Sequence, residues 1–144
     1  MSQQADCSGT VSVFMGLVPD RNWFDDYLRE SQNPDDGEIR CAFWDDLGVT
    51  WLDHDCQDAH YQGDTPVATS EFLQSPFSYI ESFRSLVLDN SRRLGLESVN
   101  CGIFVYNYSY PSDRQFPSPY LMFIGSFEYT GSSPEWFRDL IDRS

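Results

Sequence analysis

No lysine occurs anywhere in this chain of 144 residues, so all nine of its positive charges are arginines, set against 23 carboxylates. A net charge of −14 with no basic patch excludes nucleic acid as a partner, because phosphates would be repelled. An anionic lipid surface is excluded for the same reason, and no apolar run approaches the roughly 18 residues that a membrane span requires. The lead Met1–Gly9 has neither a basic n-region nor an apolar h-region, so the expectation is no signal peptide and a cytoplasmic location. Gly16 and Gly48 stand alone, which leaves no glycine-rich phosphate cradle. Gly125 and Ser126, in FIGSF, do not form the GxSxG of a nucleophile elbow. The four cysteines, Cys7, Cys41, Cys56 and Cys101, contain no CxxC pair. In a reducing compartment Cys41 and Cys101 read as small buried hydrophobes.

Aromatics, by contrast, are abundant: 11 Phe, 8 Tyr and 4 Trp. Acidic disordered tails lack such residues, so this acidity belongs to a folded protein. The length suits one domain, residues 10–144, behind a flexible lead of residues 1–9. The acidity is also localised. Asp20–Asp64 holds 13 carboxylates against three arginines, about −10 of the total −14. Solubility does not need one sign gathered into a third of the chain; a field of that kind attracts a basic partner.

Local patterns predict the elements. Thr10–Gly16 alternates and suits a strand. Asp20 suits the N-cap of a helix that turns Trp23, Phe24, Tyr27 and Leu28 to one side and Asp25, Asp26 and Glu30 to water. Asn33–Gly37 (NPDDG) is a turn, and Ile39–Leu47 is a short helix burying Ile39, Phe43 and Leu47 and stopped by Gly48. Val49–Asp53 reads as a strand and Ala59–Ser70 as loop. Pro76–Leu94 reads as one helix, with Ser75 as N-cap, Phe77, Ile80, Phe83, Val87 and Leu94 at helical spacing, and Gly95 closing it. Val99–Tyr108 and Tyr120–Tyr129 are β-rich runs expected to pair as a hairpin across the Pro-rich loop Tyr108–Pro119. Ser133-Pro134 opens a final helix with Trp136, Phe137, Leu140 and Ile141 inward. The order predicts an α+β fold: a single-domain sandwich of helices on a mainly antiparallel β-sheet.

The most catalytic-looking cluster is Asp53, His54 and Asp55 with Asp58 and His60, which would suit a general base or a metal-dependent hydrolase. Its spacing argues against both. An EF-hand register begun at Asp53 puts Asp58 where glycine belongs and Asp64 where glutamate belongs, and histidines six apart fit no zinc motif. No cofactor is expected. A recognition surface is the sharper reading, with Asp45, Asp46, Asp53, Asp55 and Asp58 as acidic contacts. Trp44, Trp51 or Tyr61 would anchor it if exposed. A regulatory module for some other basic protein remains open.

The succession VSVFMG, FDDYL, CAFWDDLGVTWLDHD, RRLGLESVNCGIFVYNY and YLMFIGSFEY resembles the immunity protein 22 family of bacterial polymorphic toxin systems. Gly16, Tyr27, Asp46, Gly48, Trp51, Asp53, Asp55, Gly125 and Phe127 carry the resemblance. Trp51-Leu52 departs from the family pattern, which sets an aromatic directly before the first Asp of the pair, and the Tyr108–Pro119 loop resembles an insertion. The resemblance implies a non-enzymatic cytoplasmic antitoxin of bacterial competition. Its implied partner is a cognate toxin domain with a basic cleft, a nuclease being the first choice.

Overall fold

The computed structural model describes residues 9–53 and 56–130. The expected lead, the final helix from Ser133 and the pair His54 and Asp55 lie outside those residues, wholly or nearly so. Four strands make the central sheet: β1 (Thr10–Gly16), β4 (Gln57–Tyr61), β7 (Cys101–Tyr106) and β8 (Leu121–Glu128), in the antiparallel order β4-β7-β1-β8. Small ladders pair β2 (Ser31–Gln32) with β3 (Ile39–Arg40), and β5 (Val67–Ala68) with β6 (Ser98–Val99). Helices α1 (Arg21–Leu28) and α2 (Ala42–Leu47) cover one face of the sheet. Helices α3 (Thr69–Phe72) and α4 (Arg84–Arg93) cover the other, with a 3-10 turn at Ile80–Ser82. The fold is α+β, as expected.

Because both faces are covered, β1 and β7 are buried throughout apart from Thr10. Alternate residues of β1 divide between the two cores. Phe14 meets Phe43, Tyr110, Phe116 and Phe123 at ring separations of 4.7–5.6 Å. Val11, Val13 and Met15 join Phe72, Leu73, Phe83 and Val87 on the opposite side, where Phe77 stacks on Phe104 at 4.0 Å. A register shift between Val13 and Phe14 marks a bulge in β8, and Gly125 supplies the φ of +153° there.

Six expectations are corrected. The two late strands do not form a hairpin, because β1 lies between them. β1, buried at every residue but Thr10, belongs inside the sheet, and the intervening loop is itself core: Tyr108, Tyr110 and Phe116 are buried, and the Ser12 hydroxyl donates to the Tyr108 carbonyl at 2.7 Å. Val49–Asp53 is not a strand. The left-handed Gly48 turns the chain, so Leu52 is buried while Trp51 points out, and the edge strand is Gln57–Tyr61. Backbone pairing with β7 recruits that polar stretch despite its weak propensity. Ile39 pairs with Gln32 in β3 and is 48% exposed, so the helix begins only at Ala42. Finally, Pro76–Leu94 is not continuous helix: the chain from Pro76 to Tyr79, the last at φ +61°, is not helical, and α4 starts only at Arg84 after the 3-10 turn, although Phe77, Ile80, Phe83 and Val87 keep their inward positions. Leu94 is exposed, and part of the expected Ala59–Ser70 loop is β4, β5 and the start of α3.

Candidate functional site

The acidic segment is placed by short local signals. Asp20 caps α1, its Oδ1 accepting from the Trp23 amide at 2.8 Å. Phe24 and Tyr27 then face the core, which leaves Asp25 and Asp26 in solvent. In the β2–β3 hairpin the Asn33 and Asp36 side chains accept from the Asp35 and Glu38 amides. That turn presents Asp35, Asp36 and Glu38 outward. In α2, Phe43, Trp44 and Leu47 point inward and Asp45 outward.

α1 and α2 lie on one side of the sheet and the β2–β3 hairpin connects them, so the linear charge cluster becomes a layer. From Asp20 to Asp53 there are ten carboxylates and three arginines; from Thr69 to Glu97, the opposite layer, four and three. Each arginine of the acidic layer pairs locally: Arg21 with Asp25 at 3.9 Å, Arg29 with Asp26, and Arg40 with Asp36 and Glu38 at 3.0 and 3.1 Å. Exposed pairs of this kind add little stability. They leave most of the negative field uncompensated.

The expected contacts separate by environment. Trp51 is 58% exposed, whereas Trp44 is 4% exposed and belongs to the core, so only Trp51 is available as an anchor. Asp45 is exposed and Asp53 half-buried. Asp46 accepts from the Tyr27 hydroxyl at 2.6 Å; burial first, and this carboxylate second, hold the Tyr27 phenol protonated well above its ordinary range. Asp58 faces the opposite core, accepting from the Ser78 amide at 2.8 Å and the Tyr106 hydroxyl at 3.2 Å. Tyr61 is buried, with Arg21 over its ring at 5.1 Å. Its hydroxyl donates to Asp64, and that bond leads the causes that push its phenol up to about 12.

Of the proposed hydrolytic cluster, Asp58 and His60 line one hollow. His60 packs against Phe72 and Phe77 at 5.7 and 6.1 Å, on the face away from α1 and α2, and His54 and Asp55 lie outside the described residues. Among the described residues no three His, Cys, Asp or Glu side chains are grouped to hold a metal. A cleft of about 550 Å³ lies between Leu17 and Tyr120–Phe123 at the end of β1. Arg114 and Tyr120 are the ionisable groups lining it, with no carboxylate, histidine or cysteine beside them. Among the described residues no helix is long and apolar enough to cross a membrane.

One supporting residue was not legible in the sequence. Arg114, from the Pro-rich loop, donates through Nη1 to the Leu47 carbonyl at 3.1 Å, and the Tyr108 hydroxyl donates to the same oxygen at 3.4 Å. Two donors, one of them a cation, thus satisfy the C-terminal end of α2 just before the Trp51 turn. Nothing periodic in a loop announces a contact across 67 residues. Arg114→Met is expected to cost about 1–2 kcal/mol of stability, read from denaturant midpoints. An unchanged midpoint would show that the clasp is dispensable.

Residues 11–130 match the family described as Immunity protein 22, a span that runs from β1 past the end of β8, and the chain belongs to that family. No curated protein and no solved structure matches it.

Proposed function

We propose that the immunity function carried by this family is exercised here by stoichiometric binding of a cognate toxin, through the acidic α1–α2 layer and the exposed Trp51. The observation that carries this reading is the charge asymmetry across the sheet, with Trp51, the most exposed large apolar side chain among the described residues, following the acidic layer in the chain. A toxin that handles nucleic acid presents a cationic cleft, so a nuclease fits the field best. Asp45, Asp53 and Asp55 with Trp51 make the contact. Asp46 and Asp58 are already engaged internally and Trp44 is core, so they act through the fold. Binding occurs in the cytoplasm, and fast association steered by charge lets protection outrun damage.

The test uses the toxin domain encoded by the neighbouring gene. Asp53→Asn with Asp55→Asn is expected to weaken binding at least about tenfold, roughly 1.4 kcal/mol, at an unchanged melting temperature. Trp51→Ala, at an exposed site, is expected to cost about 2 kcal/mol of affinity and little stability. The paired change Asp139→Asn with Asp142→Asn should do little. The association rate should fall as salt rises, since screening shortens to about 8 Å at physiological ionic strength. Equal affinity for both double variants would remove the acidic layer as the interface. Protection of excess toxin by substoichiometric protein would replace inhibition with catalysis.

A further inference from the structure

The two edges of the central sheet are finished differently. β8 carries the bulge at Gly125, and the Asn90 side chain donates to its Ile124 carbonyl at 3.3 Å, so that edge is interrupted and partly covered. β4 has no bulge in its pairing with β7, no proline and no lysine, and among the described residues nothing pairs with its outer side.

The direction of its backbone groups follows from one bond. The Gln62 amide donates to the Asn100 carbonyl at 2.7 Å, and antiparallel pairs alternate, so His60 and Asp58 bond toward β7. Gln57, Ala59 and Tyr61 therefore turn their amides and carbonyls outward. The Ala59 side chain is exposed and offers no obstruction to an approaching strand.

The surroundings say what kind of strand fits. Asp53 precedes the row, and Asp64 and Asp20 act on Tyr61 at its far end, with Arg21 the cation beside them. On the other face a hollow of about 150 Å³ is lined by Asp58, Ala59, His60, Ser75, Pro76 and Phe77, room for one side chain beside the Asp58 carboxylate, whose negative charge persists although it accepts from Ser78 and Tyr106. We infer that the outer edge of β4 receives an extended, basic segment of the toxin, which adds a fifth strand to the sheet and places one side chain in this hollow. The inference rests on the toxin-binding reading and specifies which element of the partner is held.

Hydrogen exchange on the unaltered chain tests it, with the neighbouring-gene toxin domain as probe. The amides of Gln57, Ala59 and Tyr61 should exchange freely alone and slow by at least about tenfold in the complex. Ala59→Pro removes an outward donor and leaves the β7 ladder intact, so affinity should fall at least about tenfold with little change in melting temperature. Ala59→Val keeps the donor and should bind like the parent. If a complex forms and those amides exchange as before, strand addition is overturned while toxin binding stands. Absence of any complex overturns the toxin-binding reading and strand addition with it. Protection of the same amides in a dimer of the free chain would give the edge to a second copy and also overturn the inference. Should Ala59→Pro fail to fold, the exchange measurement decides alone.

Discussion

Replacing Gly16 by alanine is expected to destabilise the protein by about 3 kcal/mol or more, near the upper end of overpacking costs. A Cβ at this position would lie 1.9 Å from the Tyr120 carbonyl oxygen and 3.0 Å from the Leu121 Cα. Both obstacles are backbone, so no side-chain rotation relieves them. The same carbonyl accepts from the Leu17 amide at 3.2 Å, which ties the exit of β1 to the entry of β8. Making room would break that bond and prise apart the longest strand pairing of the sheet at Gly16–Leu121. A melting temperature lower by roughly 10 °C is the expected readout. A shift within a degree or two would mean that β8 does not approach β1 as described. The neighbouring pressure at Gly48 is softer, because its nearest atoms belong to the flexible Arg114 guanidinium, although a φ of +80° still favours glycine.

Alkaline pH is expected to unfold the protein well before its buried phenols and thiols would ionise in place. Burial pushes the Cys101 thiol up to about 12 and raises Cys41 as well. Tyr27 and Tyr106 are held protonated first by burial and then by the carboxylates of Asp46 and Asp58 beside them. In each case the folded state keeps a proton that the unfolded chain releases near pH 9 for cysteine or 10 for tyrosine. Stability from these groups is therefore complete below about pH 9 and is lost as pH rises through the interval up to their folded values. Each contributes a slope of about 1.4 kcal/mol per pH unit over its own interval, so the four together remove several kcal/mol within about two pH units above pH 9, enough to unfold a protein near the lower end of the typical range of about 5–15 kcal/mol. Near-ultraviolet circular dichroism should collapse cooperatively between about pH 10 and 11.5. Cys101→Ala should move that midpoint upward while lowering stability at neutral pH through the small cavity it leaves. An intact spectrum at pH 12 would show that these side chains are not buried as described.

What the chain declares locally was legible at once. β1 spans the residues its alternation predicts, and Asp20 and Gly48 cap their helices because a side-chain acceptor and a left-handed φ act within a few residues. The burial of Cys41 and Cys101, the α+β class and the family also followed from residue types and their order. Strand partnership did not. A β-rich run such as Val49–Asp53 and a polar one such as Gln57–Tyr61 are ranked correctly only when β7 stands ready to pair, since ladder bonds form between distant segments whatever their side chains. Nor does spacing reveal that the helix starts only at Arg84, although the apolar period begins at Phe77. For the candidate site, sequence alone determined how much negative charge there is and where along the chain it gathers. Only the tertiary structure decided which of these side chains are engaged internally, because Asp46 and Asp58 meet buried tyrosines, Trp44 fills the core and Trp51 does not. Formal charge is a property of the residue, whereas its availability depends on what the fold brings against it.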